Sequence, residues 1–112
     1  MFARVTTYEL EAGRASESID LFQPAIDRVR DLDGFVDAFF LVERDGRHAI
    51  SMTLWETLET MERSRVAASS ARTEAASDAG AEVTSTYELE VGIRAGTADS
   101  GAALLLGGRG LA

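Results

Sequence analysis

Few residue types in this sequence can do chemistry. It contains no cysteine and a single histidine, His48. Thiolate chemistry, disulfides and cysteine-based metal sites are therefore excluded, and one histidine does not build a metal site alone, so no metal is predicted. His48 could titrate near neutral pH as a general base, but it follows the turn sequence Asp45-Gly46-Arg47, and hairpin tips are exposed. A surface position is the simpler interpretation, and no catalytic residue is assigned.

Trp55 is the best candidate for contact with a ligand. Alternation along its strand places it on one face with Ser51 and Thr53, two small polar residues. The indole could stack on a flat aromatic ligand, or it could pack against the second helix as a core residue. Tyr8 and Thr6 share a face of the first strand and could hydrogen-bond to a substrate, whereas a tyrosine at the edge of the core is the alternative.

Two further residues are predicted to bind substrate. Arg65 falls on the second predicted helix and could attract an ionised phenolate, although arginines on helices are usually solvated. Phe39 could line a pocket together with other phenylalanines of the chain, and packing in the core is the alternative for all of them. The other three are Phe22, Phe35 and Phe40.

The first half of the chain predicts a strand, a helix and another strand. Residues 2–11 alternate with period two, and residues 16–32 carry apolar side chains at helical spacing. Ser16 or Ser18 is expected to cap this helix. Pro24 lies inside it, which predicts a kinked helix or two short pieces, because proline removes a hydrogen bond and clashes with the preceding turn.

The second half of the chain continues with a hairpin, a helix and a last strand. Residues 35–43 and 47–56 are predicted to pair across the Asp45-Gly46 turn. Thr57 is expected to cap a helix over 58–78, whose apolar stripe is mostly alanine. Residues 81–92 alternate again, with one apolar and one acidic, solvent-facing side.

The resulting order is β-α-β-β-α-β, which predicts an α+β, ferredoxin-like fold with a four-stranded antiparallel sheet and two helices on one face. The uncovered face suggests a homodimer, with a monomer as the alternative. Residues 1–92 form the predicted domain. Residues 93–112 hold five of the ten glycines and are predicted to be a flexible tail.

Charge and hydropathy limit the partners. The net charge is −8 and all eleven basic residues are arginine, which disfavours nucleic acid and anionic membrane surfaces. The N-terminal residues alternate instead of forming an apolar run, so neither a signal peptide nor a membrane span is predicted. A cytoplasmic protein is the expectation, consistent with the absence of cysteine.

Several segments in combination resemble the antibiotic biosynthesis monooxygenase superfamily. They are the opening strand that ends before Gly13, the segment Leu32-Asp33-Gly34-Phe35, the hairpin, and Ser51-Met52-Thr53-Leu54-Trp55-Glu56-Thr57 running into the second helix. The resemblance covers residues 2–92. It implies a dimeric α/β barrel with a pocket in each subunit, and in characterised members it implies cofactor-independent oxidation of aromatic polyketides or quinols.

The sequence also departs from that superfamily. It contains no asparagine, so the amide donor of some enzymatic members is missing, and Thr6 is the expected equivalent. The stretch over residues 62–66 lacks the histidine of the haem-degrading branch, so haem degradation is not expected. The resemblance implies a monooxygenase that needs no cofactor and acts on a small aromatic or quinol-type molecule. The alternative is a non-catalytic dimer that binds a small molecule or regulates a partner.

Overall fold

The structure is a computed structural model that describes residues 1–96. The predicted tail over 93–112 therefore lies mostly outside the described residues. Seven elements follow one another along the chain: β1 (Phe2–Glu9), α1 (Ala15–Val29), β2 (Phe35–Val42), β3 (His48–Trp55), α2 (Leu58–Arg63), α3 (Arg65–Ala79) and β4 (Glu82–Glu90).

The four strands form one antiparallel sheet in the order β2-β3-β1-β4. Phe2 lies opposite Trp55 of β3 and opposite Glu90 of β4, so β1 is the central strand that links the hairpin to the last strand. The helices pack on one face of this sheet. The predicted ferredoxin-like fold is therefore confirmed, with the second helix divided in two.

Helix α1 is continuous through Pro24, so the prediction of two short pieces is wrong. Its buried residues lie on both sides of the proline, at Phe22 and Ala25, and this packing holds the helix together across the missing hydrogen bond. The predicted serine cap is also wrong: the N-cap is Arg14, and Ser18 donates its hydroxyl to the carbonyl of Ala15 within the first turn.

The second helical segment begins as predicted but divides at Ser64. Thr57 accepts a hydrogen bond from the backbone N–H of Thr60 at 3.1 Å, and the Thr60 hydroxyl lies 3.3 Å from the Thr57 N–H, which completes a capping box. At the break, the Met61 carbonyl accepts from the Ser64 hydroxyl at 2.6 Å and from Arg4 at 2.8 Å. These two donors compete with the helical ladder, so the segment continues as two helices.

The core lies between the helices and the sheet. Tyr8, Phe22, Trp55 and Met61 are its large buried side chains. Helix α3 contributes alanines, which let its backbone approach closely, as the alanine stripe predicted. These alanines are Ala68, Ala71, Ala75, Ala76 and Ala79.

Strand β4 turns the face predicted to be wet toward the helices. Glu88 lies opposite Arg4 and points to the helical side, whereas Tyr87 and Leu89 are about half exposed on the other side. The register also shifts between Thr7 and Tyr8, which leaves one extra residue in β4. The ion pair with Arg4 decides the orientation, because a buried guanidinium requires a carboxylate partner.

The sheet face away from the helices, here called the open face, is apolar and exposed. Its large exposed side chains come from every strand except β1: Phe39, Leu41, Ile50, Tyr87 and Leu89. None of the helices within residues 1–96 has the length and hydropathy that crossing a bilayer requires.

Candidate functional site

A cavity lies between the helical face of the sheet and helices α1 and α3. It encloses about 460 Å³ of empty space, part of it open to solvent at the mouth. Strands β1 and β3 supply its polar wall, and α1, β2 and α3 supply most of its apolar wall. The lining residues are Arg4, Thr6, Tyr8, Phe22, Ala25, Ile26, Val29, Phe40, Ser51, Thr53, Ala68, Ala71 and Arg72.

The polar wall is built from neighbouring positions on two paired strands. The Tyr8 hydroxyl and the Ser51 hydroxyl lie 2.8 Å apart, and either can be the donor. Thr6, which is almost fully buried, lies beside Thr86 with 3.3 Å between the hydroxyl oxygens. Burial raises the pKa of Tyr8, against the opposing effects of Ser51 and of the charge of Arg72. Tyr8 therefore keeps its proton at neutral pH and can donate or accept a hydrogen bond.

The apolar wall is aromatic at its centre. The rings of Phe22 and Phe40 stack with their centroids 4.3 Å apart and their planes 20° apart. The ring of Tyr8 meets Phe22 edge-on, with 5.0 Å between centroids. These contacts each contribute about 0.5–1.5 kcal/mol beyond burial and favour fixed relative orientations of the three rings.

Arg72 enters the cavity from α3. Within residues 1–96 its guanidinium has no hydrogen-bond or ion-pair partner, although the side chain is only partly exposed. Desolvation lowers the pKa of Arg72, the positive charge of Arg4 acts in the same direction, and Tyr8 and Glu88 oppose the shift. The cavity therefore contains a cation whose donors are available to a ligand.

Arg72 is not among the site residues predicted from the sequence, but the sequence contains a signal for it. The buried alanines of α3 follow helical spacing from Ala68 through Ala71 to Ala75. Arg72 falls four residues after Ala68, which is the same buried stripe. A charged residue within such a stripe must either find a partner or serve a site.

One end of the cavity is closed by an ionic cluster around Glu88. Arg4, which is 4% exposed, donates from Nη2 and Nε to Glu88 at 2.8 and 3.1 Å, and from Nη1 to the Ser64 hydroxyl at 3.0 Å. Arg65 donates to the other side of Glu88 from the surface, with a closest distance of 2.5 Å. The hydrogen bonds from Arg65, followed by those from Arg4, lower the pKa of Glu88 to about 2, against the opposing effect of burial.

Trp55 lies outside the cavity lining. It is fully buried, its indole N–H donates to the Thr53 hydroxyl at 2.9 Å, and its ring meets Phe35 edge-on. The Arg4 guanidinium carbon lies 5.9 Å from the centre of the indole ring. This arrangement matches the alternative in which Trp55 is a core residue. The indole packs near Arg4, which lies at one end of the cavity.

Of the other four residues predicted to bind substrate, two line the cavity and two lie outside it. Thr6 and Tyr8 line the cavity, whereas Arg65 lies on the surface beside Glu88 and Phe39 lies on the open face of the sheet. The fold thus brings two of the five predicted substrate-binding residues into one cavity. A role in substrate binding stays a prediction for all five.

His48 lies at the exposed end of the β2–β3 hairpin. Its Nδ1 is 3.0 Å from the Asp45 carboxylate, which also accepts the backbone N–H of Arg47 and thereby fixes the turn. Glu43 joins them, and one ligand atom from each of the three residues lies within 4.8 Å of the others. These contacts belong to a solvent-exposed turn, and none of the three residues lines the cavity.

Solved structures with the same fold are found among antibiotic biosynthesis monooxygenases and related proteins. SnoaB, a cofactor-independent oxygenase from Streptomyces nogalater, superposes with a TM-score of 0.62 at 15% identity, covering 84% of this chain and 94% of SnoaB. The monooxygenase ActVA-Orf6 of Streptomyces coelicolor, in complex with nanaomycin D, gives a TM-score of 0.62 at 18% identity, covering 86% and 92%.

The same fold also occurs with a different ligand. The haem degrader MhuD of Mycobacterium tuberculosis, with two haems bound, gives a TM-score of 0.60 at 23% identity over 86% of this chain and all of MhuD. Neither a family model nor a curated protein sequence matches this chain. The similarity therefore establishes the fold of the antibiotic biosynthesis monooxygenases and leaves the reaction to be argued from the cavity.

Proposed function

We propose that this protein is a monooxygenase that needs no cofactor and oxidises a small aromatic or quinol-type molecule in the cavity between sheet and helices. The observation that carries this proposal is the pairing of an aromatic wall, Phe22 and Phe40, with the hydroxyl groups of buried Tyr8 and partly buried Ser51. Oxygenases among the structures of the same fold support the choice of reaction.

The proposed reaction draws its electrons from the substrate. A quinol takes up one dioxygen; one oxygen atom forms a new bond to ring carbon, the other leaves as water, and the product is a hydroxyquinone. The quinol loses four electrons and four-electron reduction of dioxygen consumes them, so no further reductant is required. The protein's part is to exclude water, orient the ring and hold its oxygen atoms by hydrogen bonds.

Tyr8 and Thr6 are the residues proposed to hold the substrate oxygens. When Ser51 donates to the Tyr8 oxygen, the phenolic proton is available to the ligand; when Tyr8 donates instead, its lone pairs can accept from a quinol hydroxyl. Thr6 offers a second hydroxyl from the same face of β1. Trp55 and Arg65 are assigned a supporting role, since both contact the cluster of Arg4 and Glu88.

Oxygen uptake with hydroquinones and anthrones tests this function. The informative variant is Tyr8→Phe, because it removes one hydroxyl and keeps the ring that packs on Phe22. Tyr87→Phe is the matched control, since Tyr87 is the chain's other tyrosine and lies half exposed on the open face. We expect uptake by the wild type, a loss of about tenfold to a hundredfold in kcat/KM for Tyr8→Phe, and no change for Tyr87→Phe.

Two results would count against the enzyme. Ligand binding without oxygen uptake by any compound of the panel would favour the non-catalytic binding module. Equal activity of Tyr8→Phe and wild type would remove Tyr8 from the mechanism.

We further propose that the open face is covered by a second copy of the chain, with Phe39 and Leu41 in the interface. Large apolar side chains are exposed on three of the four strands of this face. In a chain of net charge −8, this largely uncharged surface can meet its own copy without like-charge repulsion.

Leu41→Asp should convert the dimer to monomer in light scattering, whereas Val66→Asp on the exposed side of α3 should not. A monomeric wild type at micromolar concentration would refute the dimer. A cytoplasmic location stays a prediction.

A further inference from the structure

The charges around the cavity do not balance, although most charged groups there are paired. Arg4 and Arg65 both bind Glu88, and Arg65 also lies 3.9 Å from Glu62. Two carboxylates thus offset two guanidiniums. Arg72 is the remaining positive charge, in a chain whose net charge is strongly negative.

Arg72 also has geometric reasons to bind an external group. A guanidinium carries five N–H donors in a planar fork, and within residues 1–96 none of those of Arg72 reaches an acceptor. Its neighbours across the cavity are the hydroxyl of Tyr8 and the apolar wall of α1. The nearest negative charge acting on it is that of Glu88, which makes no direct contact with Arg72 and is already bound by Arg4 and Arg65. A desolvated charge without a partner is unfavourable, and a bound anion would relieve that cost.

We infer that the ligand of this cavity is an aromatic carboxylate whose carboxyl group binds in bidentate fashion to Arg72 while its ring lies against Phe22 and Phe40. The planar fork of arginine matches the two oxygens of a carboxylate, which favours this group over a single anionic oxygen. The inference rests on the proposed function only in using the same cavity as the substrate site. It adds the substrate class: the molecule is ionised before it binds and carries its charge outside the ring that reacts.

A pair of compounds that differ only in charge tests the inference. 2,5-Dihydroxybenzoate and 2,5-dihydroxybenzamide have the same quinol ring and nearly the same shape, and only the first is an anion at pH 7. Binding of each is measured by calorimetry at about 0.15 M salt, where screening over about 8 Å removes long-range effects of the net charge. The wild type should bind the carboxylate at least tenfold more tightly than the amide. A generally acidic protein would show the opposite order.

Two arginine variants assign the preference to one residue. Arg72→Met removes the guanidinium and keeps an apolar side chain of similar reach, and the preference should fall to within about twofold to threefold. Arg28→Gln removes the same charge from α1, where Arg28 is exposed and paired with Glu74, and the preference should be unchanged. Arg72→Lys should keep a part of the preference, because it restores the charge without the fork. Thermal unfolding confirms that each variant is folded.

The outcomes separate this inference from the proposed function. Equal affinity for the two compounds, no binding of either by folded wild type, or an equal loss in Arg28→Gln and Arg72→Met would each overturn the inference. Tight, Arg72-dependent binding of the carboxylate without oxygen uptake would refute the oxygenase and leave the inference standing. Turnover of neutral quinols with no carboxylate preference would support the oxygenase and refute the inference.

Discussion

The ionic cluster around Glu88 predicts how the stability of the fold depends on pH. Glu88→Gln keeps the shape of the side chain and one acceptor oxygen but removes the charge that Arg4 and Arg65 share. The pKa of Glu88 is lowered from its ordinary value of 4.5 to about 2. At about 1.36 kcal/mol for each unit of pKa, this shift corresponds to about 3 kcal/mol of folding free energy. Because the carboxylate is 22% exposed and Arg65 lies on the surface, screening reduces this to about 1–2 kcal/mol.

The sign of the effect follows from the direction of the pKa shift. A group whose folded pKa is depressed stabilises the fold fully above its unfolded pKa, here 4.5, and the contribution is lost as the pH falls toward about 2. Urea unfolding from pH 7 to pH 2 should therefore show Glu88→Gln destabilised by about 1–2 kcal/mol at pH 7, with the difference from wild type vanishing near pH 2.

The matched control for this experiment is Glu74→Gln. Glu74 pairs with Arg28 between α1 and α3 but is 67% exposed, so its loss should cost less than about 0.5 kcal/mol. A difference between wild type and Glu88→Gln that stays constant across the whole pH range would refute the reasoning, since it would mean that shape and packing matter at this position and charge does not.

Three further predictions concern the elements that hold the cavity. Arg4→Met should destabilise the fold by about 3–5 kcal/mol in urea unfolding, because it leaves Glu88 partly buried with Arg65 alone and removes one of the two side-chain donors to the Met61 carbonyl; a loss below about 1 kcal/mol would show that the cluster is dispensable. Thr57→Ala should cost about 1 kcal/mol through loss of the capping box, and an unchanged urea midpoint would contradict the cap. Trp55, the only tryptophan, should emit at short wavelength and resist quenching by acrylamide until the chain unfolds, because it is fully buried; solvent-like emission from the native protein would place it elsewhere.

Local patterns were sufficient to predict most elements of the fold. The period-two and helical patterns gave the four strands and the order of helices, since each pattern depends only on which face of one element is buried. Thr57 was identified as a cap because its hydroxyl accepts from a backbone group three residues away. The same reasoning reached Thr6 and Tyr8, since residues two apart on a strand share a face wherever the strand lies.

Contacts between distant segments decided the rest. The break at Ser64 and the orientation of Glu88 both depend on Arg4, which is sixty or more residues away and supplies donors that no local pattern contains. Arg72 could be placed on the buried stripe of α3, but whether a partner met it there depended on the packing of α3 against α1 and β4.

The sequence by itself therefore determined which segments are strands and helices and which side chains share a face. Only the tertiary structure decided which face meets which, so that Tyr8 and Arg72 line one cavity while Trp55 and Phe39 lie outside it. The physical reason is that periodicity constrains side chains within an element, whereas the register of strand pairing, the bulge in β4 and the pairing of buried charges are set by groups on other elements.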